Sequence, residues 1–203
     1  MKAIIIDDER LARAELKKLL QEFPEIEVID EAANAEEGIT KIESLHPDLI
    51  FLDIQMPGKT GFEMLSDLEK TPQVIFTTAY DEFALKAFEV NALDYLLKPI
   101  EPKRLADAIQ KLHLPEGKES RSETDEFVNT SLLTELDQVF VKDGEKCWFV
   151  KLGEIRLFES VGNYAKVFFG TNKPLILKSL NALEERLDEK SFFRANRKHI
   201  VNL

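Results

Sequence analysis

Three aspartates, a threonine and a lysine have the types and spacing to do chemistry together: Asp7, Asp8, Asp53, Thr78 and Lys98. Carboxylates gathered at one point repel one another and require a cation. With only oxygen donors, and no His or Cys among them, that cation is a hard one such as Mg²⁺, kept partly hydrated. Asp53 is then an available nucleophile for a phosphoryl group, the product being an aspartyl phosphate. The Thr78 hydroxyl can donate to a phosphoryl oxygen. Lys98 supplies a compact positive charge, paired with Asp53 before transfer and with the phosphoryl group after it. A hydrolase working through an aspartyl intermediate would need a second carboxylate two residues after the nucleophile, and that position is Gln55.

These residues are far apart in sequence, so the elements between them must bring them together. Short β-branched runs at residues 2–6, 27–32, 49–52, 73–77 and 94–97 predict strands. Amphipathic stretches at 11–23, 35–45, 61–68, 81–90 and 102–112 predict the helices between and after them; in the first, Leu11, Ala14, Leu16 to a lesser degree, residues 18–20 and Phe23 give the apolar stripe. Strands alternating with helices imply parallel pairing, with right-handed crossovers covering both faces. Leu49-Ile50-Phe51-Leu52 and Val74-Ile75-Phe76 are apolar without alternation, as strands buried on both sides should be. The expected fold is a doubly wound, five-stranded parallel α/β sheet. Ligands in such sheets bind beyond the carboxyl ends of the strands, where Asp7, Asp8, Asp53, Thr78 and Lys98 all fall.

The chain has 203 residues, 44% of them hydrophobic and 32% charged, with a net charge of −11. That allows one domain or two small ones and excludes a largely disordered chain. Cys147 is the single cysteine, so there is no internal disulfide framework and no zinc spacing. The longest apolar runs fall far short of the ~20 residues that span a bilayer. The opening Met1-Lys2-Ala3-Ile4-Ile5-Ile6 meets Asp7-Asp8-Glu9 at once, unlike a secretion signal. A soluble, cytoplasmic protein with no membrane partner is expected. The first 112 residues form one domain by this reading. Residues 113–137, with Pro115, Gly117 and a polar series, read as a linker. From residue 138 strands follow one another at 139–142, 146–151, 155–161, 164–169 and 174–178, with turn signals at Asp143-Gly144 and Gly170-Thr171-Asn172. Residues 179–188 read as a helix with Leu180, Leu183 and Leu187 on one face. Residues 138–203 carry twelve Lys/Arg against eight Asp/Glu, so this part is basic although the whole is acidic.

Asp7-Asp8, Asp53, Met56-Pro57-Gly58, Thr78-Ala79 and Lys98-Pro99, in this order, resemble the signature of the response-regulator receiver domain over residues 1 to about 112. The resemblance implies a flavodoxin-like fold in which Asp8 and Asp53 ligate Mg²⁺ directly. The backbone carbonyl of Gln55 is then the third protein ligand, and Asp7 acts through water. It implies a cis Lys98–Pro99 bond and a switch aromatic at Tyr95, which turns inward when Thr78 moves toward the phosphoryl group. Neither His46 nor His113 resembles a phosphodonor, so the phosphoryl group should come from another protein, a sensor histidine kinase. Tyr80, two residues after the threonine, is placed to shield the acyl phosphate from water.

The segments 157–167 and 192–203, with the Leu-rich stretch between them, resemble the LytTR DNA-binding domain, a mostly β module that inserts loops into successive major grooves. Carried over by position, the DNA contacts are Asn163, Lys166, Asn196, Arg197 and Lys198. Arginine can read guanine and asparagine adenine, while lysines neutralise phosphate. Arg194, between Phe193 and Ala195, reads as structural. The family's module is longer, so this domain is expected to lack its C-terminal part. The function expected is a phosphorelay response regulator: Asp53 is phosphorylated, the receiver pairs into a homodimer, and two basic domains meet direct-repeat promoter DNA. The alternative is a receiver-controlled protein-interaction module whose output domain no longer binds DNA.

Overall fold

A computed structural model describes residues 1–79, 94–112, 132–144 and 146–203. The contacts divide the chain into two compact units, residues 1–112 with 146–149, and 113–145 with 150–203. The expected helix at 81–90, Tyr80 and most of the 113–137 linker lie outside the described residues.

In the first unit the strands are β1 (Lys2–Ile6), β2 (Glu27–Ala32), β3 (Leu49–Asp53), β4 (Gln73–Thr78) and β5 (Asp94–Leu97), paired in the order β2-β1-β3-β4-β5. Every registered pair is parallel. The helices are α1 (Arg10–Leu20), α2 (Ala35–Leu45), α3 (Gly61–Asp67) and α4 (Pro102–Gln110). All five residues of β3 are buried, which is why its sequence shows no polar alternation. Side chains alternate across the sheet. Ala3, Ile5, Leu49, Phe51 and Ile75 pack with Leu16 and Leu20 of α1 and Leu105, Ala108 and Ile109 of α4. On the other face, Gly38 of α2 lies so close to Ile6 and Met64 that a Cβ there would stand 3.1 Å from Ile6 Cδ1. Phe62 of α3 meets Phe76 of β4, ring centroids 4.9 Å apart.

One expectation for α1 is corrected. Leu11 is 72% exposed while Leu16 and Leu20 are buried. Five positions separate Leu11 from Leu16, about 140° around a helix, so both cannot face the sheet. Helix α1 is also shorter than expected, ending in turn residues after Leu20.

Helix α3 starts at a capping box: the Thr60 hydroxyl accepts from Glu63 N, and Glu63 accepts from Thr60 N. Its first residue, Gly61, donates its N–H to Ile54 O at 2.9 Å. A Cβ on Gly61 would sit 2.5 Å from the backbone oxygen of Asp53. Gly61→Ala must therefore push α3 off the end of β3. The expected cost is about 2 kcal/mol of stability, read from urea unfolding; an unchanged midpoint would show that the helix start is not pressed against Asp53.

The second unit holds β6 (Gln138–Asp143), β8 (Ile155–Val161), β9 (Tyr164–Phe169), β10 (Leu175–Ile176), β11 (Phe192–Asn196), β12 (His199–Asn202) and the one-turn helix α5 (Leu180–Glu184). Strand β7 is Lys146–Lys151. The main sheet runs β10-β9-β8-β12-β11, antiparallel at each registered pair. Gly144 and Gly170 have φ of 61° and 48°, fitting the two turns expected there.

Three local expectations change. The strand expected at 174–178 is only Leu175–Ile176, and Leu177 is 75% exposed. The helix expected at 179–188 stops at Glu184, because Leu187 turns out to bridge Leu133: Leu133 N donates to Arg186 O and Asp188 N to Leu133 O. Leu180, Leu183 and Leu187 are all buried nonetheless. The run at 192–203, which showed no turn signal, is the β11–β12 hairpin, with β12 set between β8 and β11.

Candidate functional site

The carboxyl ends of β1, β3, β4 and β5 meet at one edge, and the sheet order explains how. Strand β3 is central, so Asp53 at its tip lies between the ends of β1 and β4. Asp7 follows β1, Thr78 ends β4 and Lys98 follows β5. Lys98 N donates to Thr78 O at 2.8 Å, which docks the lysine against the neighbouring strand, and the Lys98–Pro99 bond is cis.

Lys98 Nζ lies 2.8 Å from Asp53 Oδ2 and 2.6 Å from Asp7 Oδ2. Both carboxylates are almost wholly buried, and Asp8 is exposed. The ligand oxygens of Asp7, Asp8 and Asp53 lie within 4.8 Å of one another. Burial pushes the Asp53 carboxyl above the ordinary carboxylate range, against the opposing pull of the Lys98 hydrogen bond. Burial works against the Lys98 charge too, but its bonds to Asp53 and Asp7 prevail and hold it above the usual lysine value. One ammonium thus faces three carboxylates. It covers the inner pair and leaves Asp8 on the solvent side, where a hydrated hard dication fits the all-oxygen donor set.

Backbone groups fix the carboxylates. Asp53 Oδ1 accepts from Gln55 N at 3.1 Å, and Asp7 Oδ1 from Glu9 N at 2.9 Å. Gln55 itself is exposed, and Thr78 is fully buried at the end of β4. Tyr95 is half-buried on β5, in register with Phe76. Its carbonyl accepts from Arg104 Nη2, and its N–H donates to Asp94, a buried carboxylate also bonded to Lys111.

Arg13 was not anticipated in the sequence. It donates Nη1 to Asp7 O at 2.6 Å and Nε to Glu31 at 3.2 Å, tying the end of β1 to β2. A side-chain bond to a backbone carbonyl leaves no spacing pattern, so nothing in the sequence announced it.

In the second unit four of the five DNA-contact candidates lie at one end of the sheet. Asn163 lies in the turn between β8 and β9, where Gly162 has φ 62°. Asn196 ends β11, Arg197 and Lys198 form the exposed β11–β12 turn, and Lys198 O accepts from Ser160 N near the end of β8, so the two turns are neighbours. Lys166 lies farther back, in register with Glu159. Asn196 Oδ1 accepts from Lys198 N at 2.8 Å, so its oxygen holds the turn.

The comparisons with known proteins agree with this geometry. A family model of the response regulator receiver domain matches residues 3–110, and one of the LytTR DNA-binding domain matches residues 145–203. A response regulatory protein of Vibrio cholerae serotype O1 is 42% identical over 207 residues, an alignment covering all of this chain and 82% of the relative. The sensory transduction protein LytT of Bacillus cereus is 35% identical over 207 residues, with all of this chain and 83% of the relative covered. The crystal structure of the response regulatory domain of MrkE from Klebsiella pneumoniae aligns with a TM-score of 0.50 at 35% identity, over 55% of this chain and 94% of that one. An acidic pocket closed by a lysine at the sheet edge, and a β unit with a basic turn, are what these two domains place in one chain: the protein belongs to the response-regulator family that joins a receiver domain to a LytTR DNA-binding domain.

Proposed function

We propose that Asp53 is the phosphoacceptor of this regulator and that a sensor histidine kinase is its donor. The carrying observation is the Lys98 ammonium bridging Asp53 and Asp7 at 2.8 and 2.6 Å. In the transfer, an Asp53 carboxylate oxygen forms the P–O bond as the P–N bond of a phosphohistidine breaks, and the imidazole leaves. Asp8, Asp53 and the Gln55 carbonyl would hold Mg²⁺, with Asp7 acting through water. The ion supplies charge neutralisation for the phosphoryl oxygens. Lys98 moves its pairing from carboxylate to phosphoryl oxygen, the Thr78 hydroxyl donates to another, and Tyr95 turns into the space released. No carboxylate stands at position 55 to activate water, so self-dephosphorylation is slow and the protein is not an enzyme in the turnover sense.

The receiver then pairs into a homodimer, and two LytTR units engage direct-repeat promoter sites in the cytoplasm. Asn163, Lys166, Asn196, Arg197 and Lys198 make the contacts. The domain limits follow: receiver to residue 112, linker over 113–137, output from residue 138. The test is phosphoryl uptake from acetyl phosphate with and without Mg²⁺, read by intact mass. One phosphoryl group per chain, only with the metal, is the expected result; uptake independent of Mg²⁺, or none, removes the reading.

Arg197 gives a separate check on the output domain. Arg197→Ala is expected to weaken binding to promoter DNA by at least about tenfold while leaving phosphoryl uptake intact. Titration of labelled duplex by fluorescence anisotropy reads the first, and intact mass the second.

A further inference from the structure

The geometry points to Arg194 as the positioning residue of the β11–β12 turn, an inference that rests on that turn contacting DNA. The guanidinium is spread over four acceptors. Nε donates to Asn196 O at 2.8 Å and Nη2 to Arg197 O at 3.1 Å, while Nη1 reaches Glu184 Oε2 at 3.0 Å and Asn181 Oδ1 at 3.4 Å. One side chain therefore binds both carbonyls at the tip and anchors them to α5.

The turn needs such a brace. Asn196 pairs with His199, leaving Arg197-Lys198 as a two-residue loop. Favoured loops of this length use residues with positive φ. Among the described residues His46 is the one non-glycine with positive φ, so Arg197 and Lys198 do not adopt that conformation. The register shifts between Arg194 and Asn196, a bulge that twists the strand below the tip. Lys198 N is held by Asn196 Oδ1 and Lys198 O by Ser160 N, so the Arg194 fork completes the set that fixes the tip. A lysine could not reproduce it, having a point charge and no planar fork. With Glu184 on Nη1, the Arg194 charge is paired within the domain, an arrangement that favours holding the turn over meeting phosphate.

That commitment separates positioning from direct contact. The full-length chain is titrated against two probes: a duplex enriched by the wild type from a randomised pool, and an unrelated duplex of equal length. Arg194→Gln is expected to lose about tenfold affinity for the enriched duplex. Its salt slope stays that of the wild type, whereas loss of a phosphate contact would lower it by about 0.9. Glu184→Gln, an exposed change that adds no bulk, guards against misfolding of the first variant. It is expected to reduce the affinity ratio between the two duplexes about threefold, although it removes a negative charge. Glu184→Gln binding both duplexes more tightly and equally, or an Arg194→Gln slope reduced by about 0.9, overturns the inference. If the wild type enriches no duplex, the DNA reading itself falls, and this inference with it.

Discussion

Asp53→Asn is expected to abolish phosphoryl uptake from acetyl phosphate in the presence of Mg²⁺, because an amide cannot form the acyl phosphate. Intact mass should show the variant unmodified under conditions where the parent is labelled, and a labelled variant would move the acceptor to another carboxylate. The same substitution carries a stability signature. Burial raises the Asp53 carboxyl in the folded state, so the folded protein holds this proton more readily than the unfolded chain. A carboxyl raised in this way favours folding at low pH, and that contribution is lost as pH rises through the folded value. The neutral asparagine has no such loss. At neutral pH without metal the variant should therefore melt above the parent, and the gap should close as pH falls through the raised value. A gap that widens on acidification would show that the Lys98 bond, and not burial, governs the group.

Lys98→Met should have the largest effect on folding. It strands two carboxylates whose side chains are only 4% and 7% exposed, Asp7 and Asp53. Removing one partner of a buried ion pair costs about 3 kcal/mol or more. Urea unfolding in a chelator should show that loss. Millimolar Mg²⁺ should recover part of it, since an ion that binds only the folded state stabilises by mass action. Equal stability of parent and variant in chelator would mean that the ammonium does not neutralise the cluster. A loss that Mg²⁺ leaves untouched would mean that the carboxylates do not hold the ion.

The parts of this protein that could be read from residues alone follow a physical division. Apolar runs without alternation at residues 49–52 and 74–76 imply strands covered on both faces, and parallel crossovers then bring Asp53, Thr78 and Lys98 to one edge however far apart they are in sequence. Turns with glycine at Asp143-Gly144 and Gly170-Thr171 were legible for a related reason, since glycine alone takes positive φ without cost. The β11–β12 hairpin was not, because Arg197-Lys198 carries none of the usual turn residues and is held by side chains from elsewhere. Arg13 was missed because it bonds a backbone carbonyl, and a carbonyl has no sequence; for the same reason Arg194 could be read as structural but not as the residue that holds this turn. Leu187 escaped similarly, by leaving a helical face for a bridge to Leu133, 54 positions away.

The placement of β3 bears on how the signal is held in time. Its backbone is bonded to a neighbour on each side along residues 49–52, and these four residues are wholly buried, with only the tip at Asp53 slightly exposed. Amide hydrogens in such a strand exchange only when the whole unit opens. The proposed acceptor is thus mounted on a strand whose amides should be among the last to exchange, while its ion, donor and attacking water would arrive from the solvent side. On this reading the duration of a phosphoryl mark would be set by the chemistry of the acyl phosphate and by the side chains that line the approach, rather than by loosening of the strand beneath it.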